Sequence, residues 1–237
     1  MIRFALRDLL GRKFRAILTS LAIVLGVAMV SGTFVLTDTI QKAFDNLFKD
    51  SYANTSVVVG PKKVVHMASS GTAIVPEELL ARIKALPDVD AAVGGITDFA
   101  RLIDGEGKPI STGGAPTFGF SYDRSEPQFN PTRLTAGRWA SGPNEVVIDK
   151  GTADKHDFEV GDTIGVAGRG PVETLQITGI ARFGAVDSIG GATFAIFDLP
   201  TAQRFFHKDG VFDGIQVAAK AGVDPAQLAA KIRPLLP

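Results

Sequence analysis

Three histidines are the first residues to ask for acid–base or metal chemistry. His66, His156 and His207 stand apart, and none sits in an HExxH or other paired spacing. The chain has no cysteine, which excludes thiol nucleophiles, disulfides and Cys-based metal sites. No serine lies in a Gly-x-Ser-x-Gly setting. The neighbours Glu77 and Glu78 read more simply as charges in the first turn of a helix than as an acid–base pair. Gly165, Gly168 and Gly170 are not followed by Lys-Ser/Thr, so they fail the phosphate-loop pattern and read as a hairpin loop. No catalytic residue, metal ligand or cofactor site is therefore expected in this chain.

Two features are better suited to contact than to catalysis. Arg138-Trp139 pairs a cation with the only tryptophan and is a candidate contact for a partner. The plainer reading is that Trp139 caps the core before a strand starting at Glu145. The stretch 183–192, FGAVDSIGGA, is apolar and glycine-rich; it fits either a substrate or partner loop or a long hairpin connection.

The elements that must carry such contacts begin with residues 17–36, ILTSLAIVLGVAMVSGTFVL, which hold no charge. Twenty residues of helix span about 30 Å, the hydrocarbon thickness of a bilayer. In lipid a single span must satisfy its own backbone, so it is expected as a transmembrane helix with ends at Ile17 and Leu36. Arg3, Arg7, Arg12, Lys13 and Arg15 precede it against the single acid Asp8. Of these, Arg7, Arg12, Lys13 and Arg15 are the residues expected to hold the N-terminus in the cytoplasm and touch lipid head groups. A cleaved signal peptide would want a shorter apolar core and a small-x-small site. A buried helix of a soluble protein fits poorly with so many flanking cations. The remaining 20 Lys/Arg against 24 Asp/Glu leave the body mildly acidic, which argues against nucleic acid as a partner.

Residues 1–14 have an amphipathic pattern, with Ile2, Leu6, Leu9 and Leu10 near one face, and fit either an interfacial helix or a plain leader. Beyond the span, Ile40, Phe44, Leu47 and Phe48 form one helical stripe with no Gly or Pro between 37 and 50. That predicts a stalk over 37–50, packed through Ile40, Phe44 and Leu47, continuing the membrane helix outward. A strand is expected at 56–60, a mobile loop at 62–72, and a helix opened by Pro76 that buries Leu79, Ile83 and Leu86 and ends at Pro87. Extended segments are expected at 91–103, 117–122, 145–149, 163–166, 175–180, 192–197 and 214–219. Short helices are expected at 151–156, at 199–206, and after Asp224, which caps Pro225 and directs Leu228, Ile232 and Leu235 inward. This irregular alternation predicts an α+β fold, with a division into subdomains near 56–129 and 134–197.

These stretches resemble a known family. LRDLLGRKFRAILTSLAIVLGVAMVSGTFVL resembles the first membrane helix of MacB/FtsX/LolC-type ABC transporter permeases. LTAGRWASGPNEVVIDKGTADKHDFEVGDTIGV and ITGIARFG resemble their extracytoplasmic core domain, the MacB-like periplasmic core. The resemblance covers nearly the whole chain through the order and spacing of its motifs. It implies a cytoplasmic leader at 1–16, a membrane helix at 17–36 and an outer domain at 37–237, in the plasma (inner) membrane of a bacterium. It further implies a cytoplasmic ABC ATPase partner that binds the ATP, a second permease copy or homologue, and stalk helices that pass motion to the outer domain. Complete permeases of this type carry further membrane helices, usually three after the outer domain. This sequence shows no second apolar stretch before Leu235-Leu236-Pro237, as expected of a truncated gene, a split subunit or a fragment.

The expected function is thus a non-enzymatic permease subunit or fragment of an ABC transporter. The alternative is a singly anchored extracytoplasmic binding or sensor domain without an ATPase; a membrane-tethered hydrolase lacks any catalytic set.

Overall fold

The computed structural model describes residues 13–52, 54–61, 74–184, 186–187 and 191–236. The leader pattern at 1–12, Arg7, Arg12, His66 and the loop expected at 62–72 lie outside the described residues. The chain divides into two compact units, Met1–Lys49 and Asp50–Pro237.

Helix α1 (Lys13–Ser51) dominates the first unit and runs unbroken for 39 residues, about 58 Å at the α-helical rise. It contains no proline. Gly26 and Gly32 each cost about 1 kcal/mol relative to alanine, which so long a hydrogen-bonded ladder absorbs. The helix covers the whole expected stalk at 37–50 without interruption.

The second unit is α+β. An antiparallel three-stranded sheet has the order β1 (Val57–Val59), β13 (Gly214–Ala219), β3 (Val89–Gly95). Helix α2 (Glu78–Lys84) packs on β3 through buried Leu79 and Ile83. Helix α5 (Pro225–Ile232) turns Leu228 and Ile232 inward, and Asp224 Oδ1 caps it by accepting from Ala226 N at 3.3 Å. Leu86 and Leu235, also expected inside, are half-buried.

A mixed eight-stranded sheet runs β4 (Thr97–Asp98), β6 (Thr117–Tyr122), β11 (Thr193–Asp198), β8 (Glu145–Asp149), β10 (Glu173–Phe183), β9 (Thr163–Ala167), β5 (Arg101–Ile103), with β7 (Thr132–Gly137) also on β10. β6 pairs parallel with β11, and β8 parallel with β10. Helices α3 (Lys150–His156) and α4 (Leu199–Phe205) follow β8 and β11 directly; Asp149 and Asp198 cap them by accepting from Thr152 N and Thr201 N. The central strands are apolar on both faces, as Val146, Val147 and Ile148 show, each fully buried.

Three expectations need correction. Pro76 does not open a helix. It ends the two-residue strand β2 (Val75–Pro76), which pairs with β12 (Val211–Phe212), and α2 starts two residues later. Proline can sit there because it faces a short edge ladder. β7 was not expected, yet it pairs with five residues of β10. Finally, 56–129 and 134–197 do not separate, since β6–β11 and β5–β9 pairings run between them inside one compact unit.

The two larger sheets are joined by buried charge. Lys208 is 4% exposed. Its Nζ lies 2.8 Å from Asp98 Oδ2 and 2.7 Å from Asp213 Oδ2, and donates to Thr97 O at 3.3 Å. Asp213 Oδ2 also accepts from Thr97 N at 2.8 Å, and Asp213 N donates to Gly95 O at 2.9 Å. Arg169 Nε, from the turn between β9 and β10, adds a 3.1 Å contact to Asp98. Beside this cluster Gly94 makes room for Phe212, since a Cβ there would lie 2.3 Å from the ring.

Removing the ammonium would leave two facing carboxylates without their cation. Lys208→Met is expected to destabilise the folded second unit by about 3–5 kcal/mol, measured by urea unfolding followed by circular dichroism.

Candidate functional site

Helix α1 carries an apolar segment at Ile17–Val35, 19 residues long, which spans about 29 Å. Its side chains are exposed all round: Ile17 is 61%, Val24 61%, Met29 76% and Phe34 71% accessible. An added Cβ at Gly26 or Gly32 would meet nothing within 4 Å. Two of the hydroxyls inside the segment bond back within the helix. Thr19 Oγ1 donates to Arg15 O at 2.8 Å, and Thr33 Oγ1 to Met29 O at 2.9 Å. This back-bonding meets the two threonine donors without water. Arg15 is exposed at the N-terminal end. Lys13 opens α1, and Leu36, Ile40, Phe44 and Leu47 lie along its helical backbone.

Arg138 and Trp139 follow β7 and bind into the local fold. Gly137 has φ +71°, and a Cβ there would lie 2.3 Å from Thr178 O, so only glycine lets the chain turn so closely over β10. Arg138 N then donates to Thr178 O at 2.8 Å. The guanidinium grips Glu145 with two bonds, Nη1 to Oε2 at 2.8 Å and Nη2 to Oε1 at 2.6 Å. Glu145 Oε2 also accepts from Ser141 N at 2.9 Å. The bidentate bond from Arg138, helped by Ser141, lowers the Glu145 pKa to about 2.

Trp139 is half-buried and stacks on Tyr122 with ring centroids 4.3 Å apart. Burial pushes the Tyr122 phenol up. Arg124 Nη2 donates to Trp139 O at 3.1 Å and to Ala140 O at 3.3 Å. Both members of the pair are thus engaged in closing the β7–β8 connection.

The other sequence candidates stay apart. His156 ends α3, and His207 lies beyond α4 with φ +55°. Among the described residues no group of three or more His, Asp or Glu side chains could hold a metal ion. Gly165 lies in β9, and Gly168 and Gly170 shape the turn to β10, so the glycine cluster is a hairpin. Residues 185 and 188–190 of the glycine-rich stretch lie outside the described residues. Sequence reading passed over Asp149 and Thr193, both buried at the ends of their strands, because each looks like an ordinary strand residue until β8 and β11 are paired.

The Arg138–Glu145 clamp has a pH signature. The folded-state pKa of Glu145 is depressed, so the stability it adds is present above the ordinary glutamate value and is lost as pH falls toward about 2. Glu145→Gln is expected to lower the thermal midpoint at neutral pH. The gap from the native chain should close on acidification from about 4.5 to about 2, measured by calorimetry across pH.

The chain resembles known proteins over most of its length. Residues 16–235 match the family model of the MacB-like periplasmic core domain. An uncharacterized ABC transporter permease protein of Mycobacterium tuberculosis is 29% identical over 228 residues, covering 92% of this chain and 24% of that protein. The chain therefore spans about a quarter of that relative's length. The periplasmic region of MacB from Actinobacillus actinomycetemcomitans superposes with a TM-score of 0.55 at 11% identity, covering 78% of this chain and 85% of that one. The extracellular domain of the noncanonic ABC-type transporter YknZ from Gram-positive bacteria gives 0.53 at 12% identity, over 76% and 92% of the two chains. At those identities the two structures speak to the fold, while the matched residues speak to descent: the chain belongs to the MacB-like periplasmic core domain family.

Proposed function

We propose that this chain is the anchored outer portion of an ABC transporter permease, and that α1 passes motion from a cytoplasmic ATPase to the unit at Asp50–Pro237. In this reading residues 1–16 face the cytoplasm, 17–36 cross the plasma membrane, and 37–237 lie outside it, with 37–50 as stalk. Arg7, Arg12, Lys13 and Arg15 hold the orientation. ATP is bound by the partner, and a second permease copy or homologue completes the assembly. The chain's own part is mechanical, as befits a permease, the non-enzymatic component of such a transporter.

The observation that carries this reading is the continuity of α1 through Ser51. A helix with every i→i−4 bond in place resists bending, so displacement at its inner end is delivered to its outer end. A flexible linker after residue 36 would let the outer unit drift independently and would favour a tethered sensor instead.

The absence of cysteine makes the test clean. With a single cysteine at exposed Glu106, the rate of labelling by an impermeant maleimide in spheroplasts should change when cellular ATP is depleted. Gln41→Pro, which interrupts the helix between span and outer unit, is expected to abolish that change while leaving the labelled protein in the membrane. A response to ATP that survives Gln41→Pro would contradict transmission through α1.

A further inference from the structure

Helix α3 and the start of β11 line a cavity of about 270 Å³, apart from the Arg138 clamp. Ser111, Thr112, Asp149, Thr152, Lys155, His156 and Thr193 give it polar walls, and Ile110 and Ala192 apolar ones. Asp149 is 1% exposed. Its Oδ1 accepts from Thr152 N at 2.7 Å and its Oδ2 from Phe194 N at 3.1 Å. Both are neutral amides, so they orient the carboxylate without matching its charge. The Thr152 side chain also hydrogen-bonds the carboxylate; with about four lone-pair positions in all, room remains for one further donor. Burial pushes the Asp149 pKa above the usual carboxylate range.

Two further polar atoms at this place are unmet. Thr193 is 5% exposed, and among the described residues its Oγ1 has no hydrogen-bond partner; the buried Nε2 of His156 has none there either. By strand alternation Thr193 shares a face with Ala195 and Phe197, which belong to the apolar core. Valine would fill the same volume there without an orphaned hydroxyl. A buried anion, an unpaired hydroxyl and an unpaired imidazole nitrogen around one small void are the pattern of a site built for a guest.

We propose that this cavity binds a small organic ammonium compound, whose N–H groups donate to the Asp149 carboxylate while its remaining polar atoms meet Thr193 Oγ1 and His156 Nε2. The volume lies just below the range of drug-sized pockets, which limits the guest to a few non-hydrogen atoms. Lys155, the other charged residue of the lining, is exposed and is not among the groups that shift Asp149, so the carboxylate selects for positive charge over neutral analogues. The inference stands on the cavity alone and does not depend on the direction in which α1 is inserted.

The test uses the full chain in lipid nanodiscs with isotope-labelled histidine. The chain has three histidines, so His156→Gln identifies the resonance of interest. Ethanolamine should shift that resonance saturably, whereas ethylene glycol, which replaces the ammonium by a hydroxyl, should not. Asp149→Asn, which keeps a competent helix cap, and Thr193→Val should each weaken the apparent affinity by about tenfold or more. Thr193→Val should leave the thermal midpoint unchanged or raised. A resonance that does not move, or that moves equally with ethylene glycol, overturns the proposal. So does unchanged affinity in either variant, or a lowered midpoint in Thr193→Val, which would mean that the hydroxyl is already paired.

Discussion

Nineteen consecutive residues, Ile17–Val35, offer apolar side chains on every side of a helix and are buried against nothing in the structure. Moving one exposed valine, leucine or isoleucine out of water is worth about 1.5–3 kcal/mol, and this segment holds more than half a dozen such residues. No soluble arrangement of so uniform a surface is favourable on its own. The helix suits a solvent that is itself apolar, and in such a solvent only a self-satisfied backbone is tolerated. The Thr19 and Thr33 hydroxyls, each bonded back into the helix, obey the same requirement. In our reading the rest of the architecture follows from it: cations on one side of the span, the folded mass on the other, and α1 as the connection.

The unit at Asp50–Pro237 is tied together as one body. Its three-stranded and eight-stranded sheets could have been separate layers, but the Lys208 ammonium draws oxygen partners from the β4 edge and from Asp213 ahead of β13. Charge this deeply placed is costly unless every partner is present, so the sheets must meet in one arrangement for the cluster to be satisfied. Phe212 packed against Gly94 excludes looser alternatives at the same junction.

Much of this was legible in the sequence, and the parts that were not have definite causes. The apolar segment and the unbroken run to Ser51 could be read because hydrophobic periodicity and the absence of proline are local properties. β8, β13 and the cap at Asp224 were equally local. Pro76 misled because proline at a first helical turn and proline at a strand edge look alike until β12 is known to lie beside it. β7 was hidden because RLTAG lacks apolar alternation, and its place is fixed from outside by β10. The expected split at 129–134 failed because parallel pairing of β6 with β11 is a long-range fact with no local mark. The Lys208 cluster and the cavity beside Asp149 likewise join residues from distant parts of the chain, and Lys208 on its own reads as one more surface cation.

The central claim is that α1 crosses a membrane with its basic end inside and the folded unit outside. Single cysteines at Arg12 and at Glu106, introduced into the cysteine-free chain, test it directly with a membrane-impermeant maleimide on intact cells. The account predicts labelling at Glu106→Cys without permeabilisation, and labelling at Arg12→Cys only after it. Labelling of Arg12→Cys in intact cells, protection of Glu106→Cys, or recovery of the protein in the detergent-free soluble fraction would contradict it.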